Sequence, residues 1–516
     1  MLIAKLVQNL AKQCAISWYT NFISINIKER VMFAFEKAIP EEVSISSKNI
    51  EKILRALQEK SIPMHSLLIM KNDKLIFEKY YAPYKADTLH RMFSISKSFT
   101  GVAIGLLAKE GKVDLDAPIT SYFPEYTDEN IHPWIMQMTV RNLLMMRTCH
   151  ASTTYKVDMK SDWVKSFFVA KPTHKPGTVF HYDTSAAHVL CALVEKLSGK
   201  DMLTYLKDSI LYQVDFSKDS YMIKDPFGVS MGGSGLMATP MDVLKFLYIL
   251  HKKGMVLCTD GQKRSLLPKE FVEEATGNLS DNYMTAPLPS EAQGYGMQIW
   301  QNERGGFVLY GMGGQLAICL PDQDMLIVTT ADTQGYQGGN QIIYDTLYRY
   351  LLDEPQEKSC GPDSKDYQEL CAFADTLSIE PPSFPCSHSY RNMDLTYDLA
   401  ENPQGFEKLH LHLSQDGPSS ISFEQNNTLH NISFGIQSMC EGLFPIYENA
   451  YTAGACFTRE NVLYIRIHLI GESVGSVHFQ LFFEDDELTL FMRKIEETYF
   501  KEFDGHLYGR RELSKA

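Results

Sequence analysis

The sequence predicts an α/β protein of the α+β kind: an antiparallel sheet flanked by helices, with a helical lobe, followed by a separate β-rich C-terminal domain. Three observations carry this. An apolar hairpin near residue 70 and a run of strands after Gly294 frame a long stretch of mixed helices and loops. Residues 355–385 have the composition of a linker, and beyond them short segments alternate apolar and polar residues between turn signals. The expected division is an N-terminal extension (1–45), a mixed domain (46–354), a linker (355–385) and a β-rich domain (386–516).

Each element has a local reason. Ile50, Ile53, Leu54 and Leu57 stand at helical spacing within 47–59, opposite a polar face. Residues 66–71 and 75–80 read as apolar strands around Asn72-Asp73, a hairpin turn signal. A second helix, 94–109, is apolar at Phe99, Val102, Ala103, Leu106 and Leu107 and stops at Gly111. Short helices and loops fill 122–175, and 184–198 is a helix ending at Gly199. The strands 295–300, 307–310, 316–320 and 325–330 then form an antiparallel meander through the turns Glu303-Arg304-Gly305-Gly306 and Pro321-Asp322-Gln323-Asp324, and the helix 341–352 covers one face. Cys360-Gly361-Pro362, Pro381-Pro382 and Pro385 mark the linker. His410-Leu411-His412-Leu413, Val462 to Ile467 and Leu488-Thr489-Leu490-Phe491 are the clearest strands of the tail.

Composition narrows the function. At 516 residues, with 44% hydrophobic and 22% charged residues, the chain is an ordinary folded protein of more than one unit. Its net charge of −14 repels a phosphate backbone, and no basic patch offsets it, so no nucleic-acid partner is expected. The ten cysteines stand singly, without the close pairs of a zinc knuckle or redox dithiol, as buried thiols in a reducing compartment would. No stretch has the length of a membrane span, and Gln8, Asn9, Lys12 and Gln13 break the apolar N-terminus before any signal-type core. A cytoplasmic protein is expected, with Met1 or Met32 as its start and with no metal or cofactor.

The sharpest chemical signal is Ser94-Ile95-Ser96-Lys97. On a helix this spacing puts the amine on the face of the hydroxyl, one turn away. A lysine held out of water loses pKa and can take the serine proton, and a helix N-terminus favours negative charge at Ser94. A four-residue match alone fits a solvated surface helix equally well.

Context shifts that balance. Phe93 to Gly101, followed by Gly111-Lys112-Val113-Asp114-Leu115-Asp116-Ala117-Pro118-Ile119, resembles the class C β-lactamase-like serine hydrolases of the serine β-lactamase and penicillin-binding-protein superfamily. Thr139 to Leu144, Pro176 to Tyr182, Gly232-Gly233-Ser234-Gly235-Leu236 with Thr239, Asp242 and Phe246, and Gly294-Tyr295-Gly296 fall in the same order as in that family, and the similarity runs from about Glu51 to Leu352. It implies a β-lactamase/transpeptidase-like domain in which Ser94 is acylated, Lys97 is the general base or proton relay, and Tyr182 shuttles a proton to the leaving group, given a phenol pKa lowered by Lys97. The backbone N–H groups of Ser94 and Met312 would form the oxyanion hole, beside Gly311 and Gly313. Thr184, Tyr310 and Gln315 are weaker substrate contacts.

Two departures bear on substrate. The second motif reads Tyr182-Asp183-Thr184 where the family has asparagine in third place, and the third motif, Leu309-Tyr310-Gly311, lacks the family's cation. With Gly311-Met312-Gly313-Gly314-Gln315 it is similar to the esterase and 6-aminohexanoate-oligomer-hydrolase branch. The implied partner is a small neutral ester or amide rather than a penicillin. A protein of the same fold that is catalytically weak and senses a ligand is the second reading. Gly228-Val229-Ser230-Met231-Gly232 matches a nucleophile elbow, but loop composition surrounds it. His150, His181 and His188 carry no marking neighbours.

Overall fold

The computed structural model of the chain describes residues 34–286, 288–356, 364–384, 390–496 and 500–511. The N-terminal 33 residues with both candidate starts, Cys360-Gly361-Pro362 and Pro385 lie outside the described residues.

A seven-stranded sheet organises the first domain, in the order Glu36–Lys37, Lys74–Tyr80, Met64–Lys71, Met325–Ala331, Gln315–Leu320, Phe307–Gly311, Trp300–Gln301. The first of these pairs is parallel and the rest are antiparallel. The hairpin turn behaves as Asn72-Asp73 requires: both residues have positive φ, 50° and 62°, and Lys71 pairs with Lys74 across them. The two halves of the sheet meet where Ile69 faces Ile327 and Met70 faces Leu326. Strands distant in sequence are thereby zipped by apolar side chains buried on both faces.

One face carries the helix Ile95–Lys109, whose residues are buried continuously from Ile95 to Leu107. A helix apolar all round belongs between layers, and this one separates the sheet from the helical lobe that contains Thr184–Ser198. The ends of the surrounding helices are fixed by side chains written in the sequence. Thr139 and Asn142 exchange side-chain and backbone hydrogen bonds at one N-terminus, and Thr239 and Asp242 do so at another.

The tail forms a ten-stranded antiparallel sheet from Met393–Leu399 to Gly505–Arg511, with its own aromatic core around Phe423, Phe444, Phe479 and Phe503. Gly435 and Ile436 pair in parallel with Gly454 and Ala455, which closes the sheet on itself as a barrel. Two segments expected outside the first domain pack on it. Glu36 and Lys37 extend its sheet, and the helix Lys365–Ala374, inside the expected linker, buries Leu370 and Ala374 in its core while Phe373 stacks on Arg55. The charge-rich composition of 355–385 hides this helix because only one narrow stripe of it is apolar.

The tail also touches the mixed domain beside the cleft described below. Arg91 Nη1 donates to the Glu472 carbonyl at 2.9 Å, Tyr221 donates to the Glu472 carboxylate, and Gln334 Nε2 donates to the Val474 carbonyl at 2.9 Å. Among the described residues no helix is long and apolar enough to cross a membrane. Cys149, Cys191, Cys258 and Cys319 are buried free thiols.

Candidate active site

Ser94 caps the helix Ile95–Lys109. The chain enters it through Phe93, which has φ 44°, a left-handed conformation that a phenylalanine adopts only when its surroundings force it. Here the surroundings are explicit. The strand His90–Arg91 pairs with Leu236–Ala238, and the Met92 N–H bonds the Leu236 carbonyl at 2.8 Å, so the turn at Phe93 presents Ser94 to the cleft.

One turn on, Lys97 is 1% exposed and its Nζ donates to Ser94 Oγ at 2.9 Å and to the Gly233 carbonyl at 2.7 Å. The loop supplying that carbonyl is pinned to the helix by Thr100, which donates to the Gly232 carbonyl at 2.9 Å, and by Ser96, which accepts from the Leu236 N–H at 3.0 Å. Position 233 must be glycine, since a Cβ there would lie 2.5 Å from Thr184 Cγ2.

Tyr182 flanks the pair. The Lys97 ammonium sits over its ring, 4.7 Å from the centroid, and the hydroxyl is shut away from solvent without a well-formed hydrogen bond. Ser94 and Trp300 favour the ionised phenol, but burial outweighs them and pushes its pKa well above 10. The expectation that Lys97 lowers this phenol towards neutrality is therefore corrected: the cation faces the ring, and burial governs the hydroxyl.

Across the cleft runs the strand Phe307–Gly311. A Cβ on Gly311 would stand 2.4 Å from the Met92 carbonyl, so glycine lets this strand pass directly beside the Ser94 turn. Met312 follows at the cleft wall, and Gly313, with φ 82°, turns the chain back. The cleft, about 460 Å³, brings together Ser94, Tyr182, Thr184, Tyr310 and Met312.

The Beta-lactamase family model matches residues 50–343, more than half of the chain. The chain belongs to the β-lactamase family. It is 23% identical over 299 residues to the 6-aminohexanoate-dimer hydrolase of Paenarthrobacter ureafaciens, covering 53% of this chain and 75% of that one. It is 26% identical over 211 residues to protein flp of Staphylococcus aureus (strain COL), covering 37% of this chain and 42% of that one. Among solved structures, a Bacillus anthracis protein named as a candidate 6-aminohexanoate-dimer hydrolase shares the fold, with TM-score 0.51 and 21% identity over 63% of this chain and 90% of that one.

Within this β-lactamase-family domain the middle residue of the second motif is structural. Asp183 is 0% exposed and caps the helix Thr184–Ser198 by accepting from the Ser185 N–H, with Ser185 Oγ and Thr148 Oγ1 alongside, and burial raises its carboxyl to about 6. Thr184, whose N–H bonds Thr153 Oγ1 at 3.0 Å, is the residue that reaches the cleft. Gln315 does not reach it. Its amide donates to the Met312 and Ala331 carbonyls at 2.7 and 2.9 Å and accepts from the Ala331 N–H, so it braces the turn carrying Met312 instead of touching substrate.

The rival nucleophile fails on geometry. Ser230 is 0% exposed, sits in the turn between Asp225 and Gly235, and has neither a long strand before it nor a helix directly after it. His150 bonds the Phe167 carbonyl and His188 bonds Asp225; both are buried and neither lines the cleft. Sequence reasoning missed several cleft residues. Arg91 and Phe93 lie just before Ser94, and Tyr155, Trp163, Glu291 and Trp300 come from segments far along the chain that no spacing rule connects. Among the described residues no cluster of His, Cys, Asp or Glu could hold a metal ion.

Proposed function

We propose that the chain is a serine hydrolase that acts on small esters or amides through an acyl-enzyme on Ser94. The observation that carries this is the bond from buried Lys97 Nζ to Ser94 Oγ at 2.9 Å, at a helix N-terminus opening into the cleft. Lys97 in its amine form takes the Ser94 proton as Oγ bonds the acyl carbon, and the oxyanion is received by the Ser94 and Met312 N–H groups. Tyr182 then gives its proton to the leaving oxygen or nitrogen and regains one from Lys97, and water releases the acid by the reverse route.

The walls favour an apolar acyl group. Tyr155 and Trp163 stack at 3.9 Å on one side, and Trp300 and Tyr310 meet edge to face on the other. That a relative is named for hydrolysing the 6-aminohexanoate dimer supports the hydrolase reading. The test is intact-protein mass spectrometry after rapid mixing with a p-nitrophenyl ester. A mass gain equal to one acyl group, decaying as the free acid appears, is expected. Neither adduct nor nitrophenol release would favour the ligand-sensing reading.

A further inference from the structure

A second cavity, about 220 Å³, lies between the mixed domain and the barrel. Its walls come from three parts of the chain: Ser61 to Met64 and Tyr81 at the open end of the first hairpin, residues 377–384 of the expected linker, and Arg466 and His468 on the barrel strand Val462–Leu469. Among the described residues it shares none with the Ser94 cleft. The linker is fixed in place by backbone bonds, from the Ala82 N–H to the Leu377 carbonyl at 3.1 Å and from the Ile379 N–H to the Ala82 carbonyl at 2.8 Å. Residues two apart on a strand face the same way, so Arg466 and His468 stand side by side in the wall. Arg466 Nη1 donates to Tyr336 Oη at 3.2 Å, and Tyr336 Oη donates to the Ser61 carbonyl at 2.6 Å, which ties the barrel to the mixed domain.

This wall holds more polar atoms than the protein satisfies. Tyr81 is 6% exposed and His468 3%, yet among the described residues the Tyr81 hydroxyl and both ring nitrogens of His468 find no hydrogen-bond partner. Arg466 is half-buried and bonds the hydroxyls of Tyr336 and Tyr464, and among the described residues no carboxylate forms an ion pair with it. Asp332, an acid close enough to feel its charge, is bonded by Gln334 instead. Burial and the Arg466 charge hold the His468 pKa at about 3, so at neutral pH the imidazole is uncharged and has one N–H to donate. Buried polar groups carry hydrogen bonds as a rule, so orphaned atoms on two side chains of one cavity, beside a cation, mark a place for an acceptor. The rest of the wall is apolar, with Ile62, Met64, Leu377 and Ile379 buried in it.

We propose that this junction is a binding site for a small monocarboxylate with an apolar body, its carboxylate accepting from Arg466, His468 and Tyr81 and its hydrocarbon part lying on Ile62, Met64 and Leu377. A bare phosphate leaves the apolar walls unused, and an amine meets the Arg466 charge. The acid in the lining, Glu380, is exposed and bonded by Gln58 Nε2. The volume is below the roughly 300–1,000 Å³ of pockets that take drug-sized ligands, which limits the body to a short chain or one ring.

The test is isothermal titration calorimetry of the full chain with hexanoate, hexylamine and inorganic phosphate, on the wild type, Tyr81→Phe and Arg466→Gln. Hexanoate is expected to bind one-to-one with a Kd at or below about 1 mM, and hexylamine and phosphate at least about tenfold more weakly. Tyr81→Phe removes only an unpartnered oxygen, so it keeps the wild-type melting temperature without ligand and weakens hexanoate by about tenfold; Arg466→Gln weakens it further. Should Arg466→Gln fail to fold, Tyr81→Phe alone decides. Absence of saturable hexanoate binding, which means that solvent alone fills the cavity, overturns the proposal, as does hexylamine or phosphate binding as tightly as hexanoate. So does an affinity unchanged in Tyr81→Phe; if that binding is also lost once a fluorophosphonate blocks Ser94, the carboxylate sits in the catalytic cleft instead.

Discussion

Ser94→Ala is expected to lower p-nitrophenyl ester turnover by about four orders of magnitude or more, the scale seen when an acylated serine is removed. The change deletes one atom at a helix cap, and Lys97 keeps its bond to the Gly233 carbonyl, so the fold has little to lose. The Lys97–Ser94 bond goes, together with the hydroxyl that the buried Lys97 amine is placed to deprotonate. The measurement is kcat and KM beside a melting curve. Loss confined to kcat, at an unchanged melting temperature, is the expected pattern. Activity within tenfold of the wild type would show that another group attacks the ester.

Lys97→Ala is expected to cost two orders of magnitude or more in kcat/KM, the usual consequence of losing a general base. It also carries a structural penalty, because the alanine leaves a cavity beside Tyr182 and strands the Gly233 carbonyl, worth about 1–3 kcal/mol for an unpaired buried acceptor. Lys97→Met fills the space and isolates the chemical term. If Lys97 is the base, both variants are equally slow although their melting temperatures differ. A methionine variant of near-normal rate would reduce Lys97 to packing.

How far these features could be read beforehand differs from one to the next. Asn72-Asp73 specified its turn because two consecutive left-handed residues suit few other pairs, and Thr239 with Asp242 specified a helix start because the reciprocal bonds need that spacing. The three-residue gap from Ser94 to Lys97 was equally readable, being a property of one helical turn. Whether Tyr182 would be tuned by a cation or by burial was not, because the answer lies in how Trp300, Tyr295 and Tyr310 close around it from other segments. Gln315 shows the same limit. A glutamine beside a catalytic turn can face substrate or brace the backbone, and only the position of the Ala331 carbonyl and N–H decides between them. Glu291 carried no sign at all in a Pro-Ser-Glu turn of ordinary polar composition.

The central claim is that Ser94 is the nucleophile, and peptide mapping after labelling with a fluorophosphonate tests it most directly. The account predicts one modified peptide, carrying Ser94, that vanishes in Ser94→Ala. Label on Ser230, or none on a protein that still hydrolyses esters, would contradict it.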